Sequence, residues 1–260
     1  MDLLRSLHVS DWERPSPCPG WSVLGLASHL LGDDFSLLAW QRDDHRATPA
    51  PEGMGEEGFI SWLDDLQAEW VHAARRLSPR LVIDLLDWTG GQVVDMTSVQ
   101  DASALTAHVS WASSDPVPVW LDHARELSER WIHRQQMLET IGAVSDLRKD
   151  LFDPVLDGLR WAYPFRLEPH KRPAGATVEV SVTGPEGELS WYLVSDHDAW
   201  HFRPIAGGSI VAKLHMTSEQ AWRLLSNNFD HDPHGEVFTS GDPKLVHALM
   251  RTRAIIGMPK

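Results

Sequence analysis

The stretch Asp122–Ile141, which reads DHARELSERWIHRQQMLETI, decides the fold that this sequence predicts. Its apolar residues recur at the spacing of an amphipathic helix, namely Leu127, Trp131, Met137, Leu138 and Ile141. Glu129 and His133 are four residues apart, so one helical turn places both side chains on the same face. Because apolar residues flank this pair, we predict that the acid and the imidazole share a partner. A metal ion is one such partner.

A glutamate and a histidine at this spacing are more often a solvated or hydrogen-bonded pair than a metal site. The pair indicates a metal site only together with a third ligand, because catalytic divalent sites commonly use three protein ligands and leave one position open. His29 is the candidate. It lies at the edge of an apolar stripe in a helix that Ser22 is expected to cap. A hydrogen-bonded core histidine fits the same local pattern, which does not decide between the two roles.

The composition is that of a soluble, acidic globular protein. The 260 residues allow one large domain or two modest ones, and we expect two. A net charge of -14 without a basic stripe argues against nucleic acid as a partner. We expect neither a secretory signal nor a membrane span. The lone Cys18 cannot form an internal disulfide, which fits a cytoplasmic location, and its expected role is that of a small buried residue.

The first half predicts an all-α bundle with helices at about 1–8, 22–44, 59–78 and 118–141. The segment from Pro79 to about Val119 is predicted to be irregular, with a turn at Gly90 and Gly91 and a short strand or extended loop at LTAHVSWAS. Facing helices of a bundle can assemble metal sites from inward carboxylates and imidazoles. A site of His29, Glu129 and His133 is therefore geometrically reasonable.

The second half changes character and predicts a smaller α+β domain. Helical stretches, among them TSEQAWRLLSNN with Thr217 or Ser218 as its cap, accompany short strand-like runs separated by turn residues. The runs are ATVEVSVTG, ELSWYLVSD, DAWHFRPI, SIVAKLHM and GEVFTSG. We expect an antiparallel or mixed sheet, and we place the domain boundary between 1–146 and 147–260.

Three phrases together resemble the mycothiol-dependent maleylpyruvate isomerase family, which belongs to the DinB-like metalloprotein superfamily. They are CPGWSVLGLASHL around His29, ARELSERWIHRQQM around Glu129 and His133, and FTSGDPKLVHALMRTRAIIG near the end. The resemblance implies a DinB-like four-helix bundle that holds a divalent ion, usually zinc, through these three residues. It also implies a second domain similar to the sterol-carrier type.

The resemblance further implies a reaction and a thiol cofactor. In the family activity, the sulfur of mycothiol adds to the double bond of maleylpyruvate, and rotation followed by loss of the thiol gives fumarylpyruvate. A thiol that coordinates a metal ion is deprotonated, so this chemistry is reasonable near neutral pH. Arg203 and Arg223 are predicted anchors for a carboxylate of the thiol or of a small-molecule substrate.

Other sites and functions stay open at this point. The pairs His197 with His201 and His231 with His234 also have spacings that could hold a metal ion. The first functional hypothesis is a metal- and thiol-dependent isomerase or S-transferase that acts on a small organic acid or electrophile. The second is a non-catalytic metal- and small-ligand-binding protein, and the third is a hydrolase that uses a metal-activated water. The sequence does not indicate the oligomeric state.

Overall fold

The computed structural model describes residues 1–46, 48–185, 187–229 and 236–255, and it leaves out the side chains of residues 56 and 57. The chain forms two compact units. The first comprises Met1–Ala102 with His133–Ser145, and the second comprises Ser103–Ile132 with Asp146–Lys260. A boundary between residues 146 and 147 as the division into domains stays a prediction.

Helices dominate the first part of the chain. They are α1 (Asp2–Ser6), α2 (Val23–Leu37), α3 (Glu56–Ala74), α4 (Pro79–Ser98) and α5 (Val119–Thr140). A π-helical segment, Leu38–Arg42, extends α2. The predicted cap is confirmed, since the Ser22 hydroxyl accepts a hydrogen bond from the Gly25 amide at 3.3 Å. Helix α5 is continuous, and the division between the two units falls inside it, after Ile132.

The prediction of an irregular segment from Pro79 to about Val119 is wrong for residues 79–98, because these residues form the 20-residue helix α4. Ser78 caps the helix by accepting a hydrogen bond from the Leu81 amide at 3.3 Å, and Pro79 occupies the first turn, where its missing N–H is not needed. Residues at helical spacing face the core, namely Val82, Leu86, Thr89 and Val93. Their burial outweighs the cost of about 1 kcal/mol that each interior glycine, Gly90 and Gly91, imposes on a helix.

Helices α2 and α3 approach each other closely at Gly32. A Cβ atom at this position would lie 2.5 Å from Cδ1 and Nε1 of Trp70, so the indole fills the space that a side chain would need. Trp70 Nε1 also donates a hydrogen bond of 2.6 Å to the carbonyl of Ser28, one turn earlier on α2. The missing side chain at position 32 therefore sets the spacing of the two helices.

The second unit contains the sheet and the remaining helices. Its elements are α6 (Lys149–Leu159), α7 (Ala162–Leu167), β1 (Thr177–Gly184), β2 (Gly187–Ser195), β3 (Trp200–Arg203), β4 (Ile210–Thr217), α8 (Ser218–Leu225), β5 (Phe238–Gly241) and α9 (Pro243–Met250). The described strands form one sheet in the order β3-β2-β1-β4-β5. Only β1 and β4 pair in parallel, so the sheet is mixed, as one of the two predicted alternatives states.

The coarse prediction of a helical first part followed by a smaller α+β part is confirmed. Thr217 caps α8 and accepts a hydrogen bond from the Gln220 amide at 3.2 Å. The stretch LTAHVSWAS forms a loop with one isolated bridge from Leu105 to Pro118, which is the second of its two predicted states. In the described part of the chain, no helix combines the length and apolar character that a bilayer crossing requires.

Substituting alanine at the two kinds of helical glycine is expected to have opposite effects on stability. Gly32→Ala places a methyl group against the Trp70 indole and should lower the free energy of unfolding by about 1–3 kcal/mol. Gly90→Ala meets nothing within 4 Å and should raise it by about 0.5–1 kcal/mol through helix propensity. Urea unfolding followed by circular dichroism measures both. Equal stability of the two variants would contradict the close packing of α2 against α3.

Candidate metal centre

Helices α2 and α5 bring the three predicted ligands together. Ligand atoms of His29, Glu129 and His133 all lie within 4.8 Å of one another. The rings of His29 and His133 meet edge to face, with their centroids 4.7 Å apart. Glu129 precedes His133 by one turn of the same continuous helix, so α5 itself holds the carboxylate beside the second imidazole.

Burial makes this cluster unusual. His29 is 6% exposed and His133 is 7% exposed, while Glu129 is half-buried. The half-buried indole of Trp21 packs against His29, with ring centroids 4.9 Å apart. Removing polar and charged groups from water costs free energy unless hydrogen bonds or opposite charges compensate. The site therefore requires a positive charge or a set of hydrogen bonds to balance its carboxylate.

The side chains of Gln67 and Asp33 each contact His29 and also contact each other. The Gln67 amide nitrogen donates to Asp33 Oδ1 at 3.0 Å, which turns the amide oxygen toward His29. That oxygen accepts a hydrogen bond from His29 Nδ1 at 3.1 Å. His29 Nε2 then lies 3.2 Å from Asp33 Oδ2.

This arrangement places a requirement on Nε2 of His29. Since Nδ1 carries the proton donated to Gln67, a neutral ring would direct the lone pair of Nε2 toward a carboxylate oxygen of Asp33. Two electron-rich atoms at this distance repel each other unless a positive charge lies between or beside them. A proton on Nε2 or a metal ion supplies that charge.

Gln136 plays a similar part for His133. Its amide oxygen accepts a hydrogen bond of 2.7 Å from His133 Nδ1, and the two side chains belong to the same helix. The same oxygen accepts a 3.3 Å hydrogen bond from the thiol of Cys18, which is half-buried. Donation from Nδ1 leaves Nε2 as the nitrogen with ligand character, as is usual for metal-bound histidines that are oriented by a second partner.

Glu129 also lies in the field of a nearby cation, Arg125. Burial alone would lower the pKa of Arg125, but neighbouring carboxylates outweigh burial and raise it. Glu126 and Asp122 contribute most, and Glu129 adds a smaller effect. The guanidinium is therefore held charged one turn before Glu129.

The donor set fits a divalent ion such as zinc. Two imidazole nitrogens and one carboxylate oxygen form a ligand set found in catalytic zinc sites, with the fourth position left open. Ligand atoms bound to one tetrahedral zinc ion are about 3.4 Å apart, given metal–ligand distances of about 2.0–2.2 Å. The 4.8 Å limit within the cluster is compatible with small side-chain adjustments to such an ion.

The predicted arginine anchors both lie in the second unit. Arg203 is the exposed last residue of β3, and its Nη1 donates to the carbonyl of Phe202 at 3.2 Å. Arg223 on α8 forms an ion pair with Glu219 at 2.8 Å and donates to the carbonyl of Asn228 at 3.2 Å. Their roles in ligand binding stay predictions.

Among the described residues, the competing pair His197 and His201 belongs to no cluster of three possible metal ligands. His201 on β3 has its Nε2 2.7 Å from Oδ2 of Asp196, which lies in the turn between β2 and β3, and both side chains are exposed. His197 occupies that turn with a φ of 88°. His231 and His234 lie outside the described residues.

Sequence reasoning missed the residues that orient the two imidazoles. Asp33 follows His29 by four residues, the same spacing that singled out Glu129 and His133, so this signal was present in the sequence. Gln136 follows His133 by three residues, and side chains three or four residues apart on a helix are neighbours, so the sequence also indicated this contact. Gln67 belongs to another helix, and no local pattern connects it with His29.

Comparison with known proteins gives one family match. Residues 1–137 match the family described as the mycothiol maleylpyruvate isomerase N-terminal domain. This range contains all three residues of the cluster. No curated protein matches the chain.

Two solved structures are similar to the chain in fold. One is a mycothiol-dependent maleylpyruvate isomerase, with a TM-score of 0.52 and 15% sequence identity. The other is a histidine-to-alanine mutant of a protein with that description, with a TM-score of 0.53 and 14% identity. Each similarity covers 92% of this chain and 86% of the solved chain. At these identities the similarity establishes the fold alone.

Purified protein is expected to contain one equivalent of a divalent metal per chain. His29→Ala and His133→Ala should each lose it, because two remaining protein ligands hold such an ion weakly. His72→Ala removes an exposed histidine of α3 and serves as the matched control. Elemental analysis after dialysis measures the metal. Full metal content in either ligand variant would contradict the site.

Gln136 is expected to strengthen metal binding without contacting the ion. Gln136→Leu removes the acceptor for His133 Nδ1 and should weaken metal affinity by about 10–100-fold. Gln136→Glu keeps an acceptor oxygen and should retain most of the affinity. Competition with a chromogenic chelator gives the affinities, and Gln92→Leu on α4 controls for loss of a surface amide. Equal affinities of Gln136→Leu and the control would rule out the orienting role.

Proposed function

Because the chain belongs to the family of the mycothiol maleylpyruvate isomerase N-terminal domain, we propose that it is a metal-dependent isomerase that uses mycothiol. The substrate class is a small organic acid or a similar electrophile. The observation that carries the proposal is the buried cluster of His29, Glu129 and His133, whose ligand atoms lie within 4.8 Å of one another. Such a donor set leaves a coordination position for a small thiol.

The proposed metal has a single chemical role. A divalent ion bound by these residues would lower the pKa of a coordinating thiol, so that the thiolate exists near neutral pH. The protein therefore needs no cysteine nucleophile of its own. This agrees with the position of Cys18, whose thiol donates to Gln136.

The chain's own residues hold and orient the centre. His29 and His133 act as neutral imidazoles, and Glu129 contributes one negative charge. The amide oxygens of Gln67 and Gln136 accept hydrogen bonds from the two Nδ1 atoms, which leaves Nε2 of each ring as the possible metal ligand. Trp21 covers one imidazole and limits the access of water to it.

The finer points of the fold belong to the same proposal. We assign α2 to α5 to a DinB-like four-helix bundle and the sheet with its helices to a sterol-carrier type of domain, divided between residues 146 and 147. Similarity in fold over 92% of the chain to the solved isomerase supports a shared two-part architecture. Arg203 and Arg223 are proposed to contact a carboxylate of the thiol or substrate, and the protein is proposed to work in the cytoplasm.

Turnover is expected to require both the metal and the thiol. Zinc-loaded protein should convert maleylpyruvate to an isomer in the presence of mycothiol, and the conversion should change the ultraviolet spectrum. Omission of mycothiol should abolish this change. Glu129→Gln should lower the rate by about tenfold or more, because loss of its negative charge weakens metal binding. Glu13→Gln, an exposed acid in the loop before α2, is the matched control.

A second measurement separates the choice of substrate from the use of thiol. The absorption spectrum of cobalt-substituted protein should change when mycothiol is added without substrate, and His133→Ala should abolish that change. Turnover without thiol would favour an activated water instead. An unchanged cobalt spectrum and no turnover with mycothiol would contradict the proposal.

A further inference from the structure

Helices α2 and α5 each carry an acid and a histidine one helical turn apart at the candidate metal centre. On α5 the pair is Glu129 and His133, and on α2 it is His29 and Asp33. Three of these four side chains form the cluster of possible ligands. Facing helices of a bundle build metal sites from inward carboxylates and imidazoles in such pairs, so the fourth side chain, Asp33, has the chemistry of a ligand as well.

Asp33 lies at the distance from His29 that two ligands of one ion have. Its Oδ2 is 3.2 Å from His29 Nε2, and the two side chains are 17% and 8% exposed. Atoms bound to the same tetrahedral zinc ion are about 3.4 Å apart, given metal–ligand distances of about 2.0–2.2 Å. The four-residue spacing on α2 brings the two side chains to the same face, so this contact is set by the helix itself.

Gln67 fixes which oxygen of Asp33 is directed at His29. The amide nitrogen of Gln67 donates to Oδ1 of Asp33 at 3.0 Å, and its amide oxygen lies 3.1 Å from Nδ1 of His29. Oδ1 of Asp33 and Nδ1 of His29 are thus both engaged by one amide. Oδ2 and Nε2 are the atoms that remain to face each other.

The protonation of His29 decides what lies beside Oδ2 of Asp33. Because Nδ1 carries the proton donated to Gln67, the ring can bind an ion only through Nε2. A second proton on Nε2 would make the contact with Asp33 favourable, but a protonated nitrogen has no lone pair for a metal. If His29 is a ligand, the ion on its Nε2 therefore lies next to the Asp33 carboxylate.

The charge of the centre points the same way. Glu129 alone balances one of the two positive charges of a divalent ion, and the cluster around it is largely buried. A buried charge that is not balanced is costly. Asp33 supplies the second negative charge, so that two carboxylates and one divalent ion are neutral together.

We propose that Asp33 is a fourth protein ligand of the metal ion and binds it through Oδ2. This inference rests on the proposed metal-dependent function. The cluster whose ligand atoms all lie within 4.8 Å of one another does not include Asp33, so its carboxylate turns toward Glu129 and His133 when the ion binds. A thiol then adds as a fifth ligand, an expansion that catalytic zinc sites can undergo.

Metal affinities of the intact protein, measured by competition with a chelator, test this role. Asp33→Ala should weaken manganese binding by about 100-fold or more, beyond the usual effect of losing an outer-shell partner. Zinc binding should weaken less, because carboxylate ligands matter more to manganese and imidazoles more to zinc. Asp65→Ala removes an exposed carboxylate of α3 and is the matched control. Unchanged affinities, or equal weakening for both metals, would overturn the proposal.

A cysteine at position 33 gives a direct spectroscopic test of contact with the ion. Cobalt-loaded Asp33→Cys should show the near-ultraviolet charge-transfer absorption of a thiolate bound to cobalt, since a coordinating thiol is deprotonated. The parent protein and Asp65→Cys should lack this absorption, although both contain Cys18. Cobalt bound to Asp33→Cys without the absorption would place position 33 outside the coordination sphere and overturn the proposal.

His133→Ala separates the fourth ligand from the site as a whole. Metal loss in His133→Ala together with full affinity of Asp33→Ala for both metals would overturn the role of Asp33 and leave the three-ligand centre intact. Full metal content in His133→Ala would contradict the centre itself, and the proposed ligation by Asp33 would fail with it.

Discussion

The structure depends on the balance of charge around two buried imidazoles. His29 and His133 meet edge to face in a region that is nearly closed to water, and each directs Nδ1 at the amide oxygen of a glutamine. Glu129 brings a carboxylate to the same place. Burying these groups together requires a cation or a set of hydrogen bonds that compensates them, and this requirement connects the packing of the helices with the metal chemistry proposed for the site.

Strong local patterns allowed much of this arrangement to be predicted from the sequence. Helix α5 and its Glu129–His133 pair follow from helical periodicity, and Ser22 was recognised as the cap that begins α2. Helix α4 was missed because Gly90 and Gly91 suggest a turn, and only tertiary packing of its apolar face outweighs their low propensity. Gln67 could not be predicted, since its contact with His29 joins two helices whose spacing is not encoded locally.

The glycine on α2 links packing to coordination. Gly32 lies three residues after His29, and Trp70 lies three residues after Gln67, so the indole seated on the glycine and the amide seated on the imidazole are neighbours at one helix crossing. Because Gly32 has only a hydrogen atom as its side chain, α3 can approach α2 closely enough for the Gln67 amide oxygen to reach the His29 ring. The orientation of the His29 imidazole therefore depends on Gly32, a residue without a functional side chain.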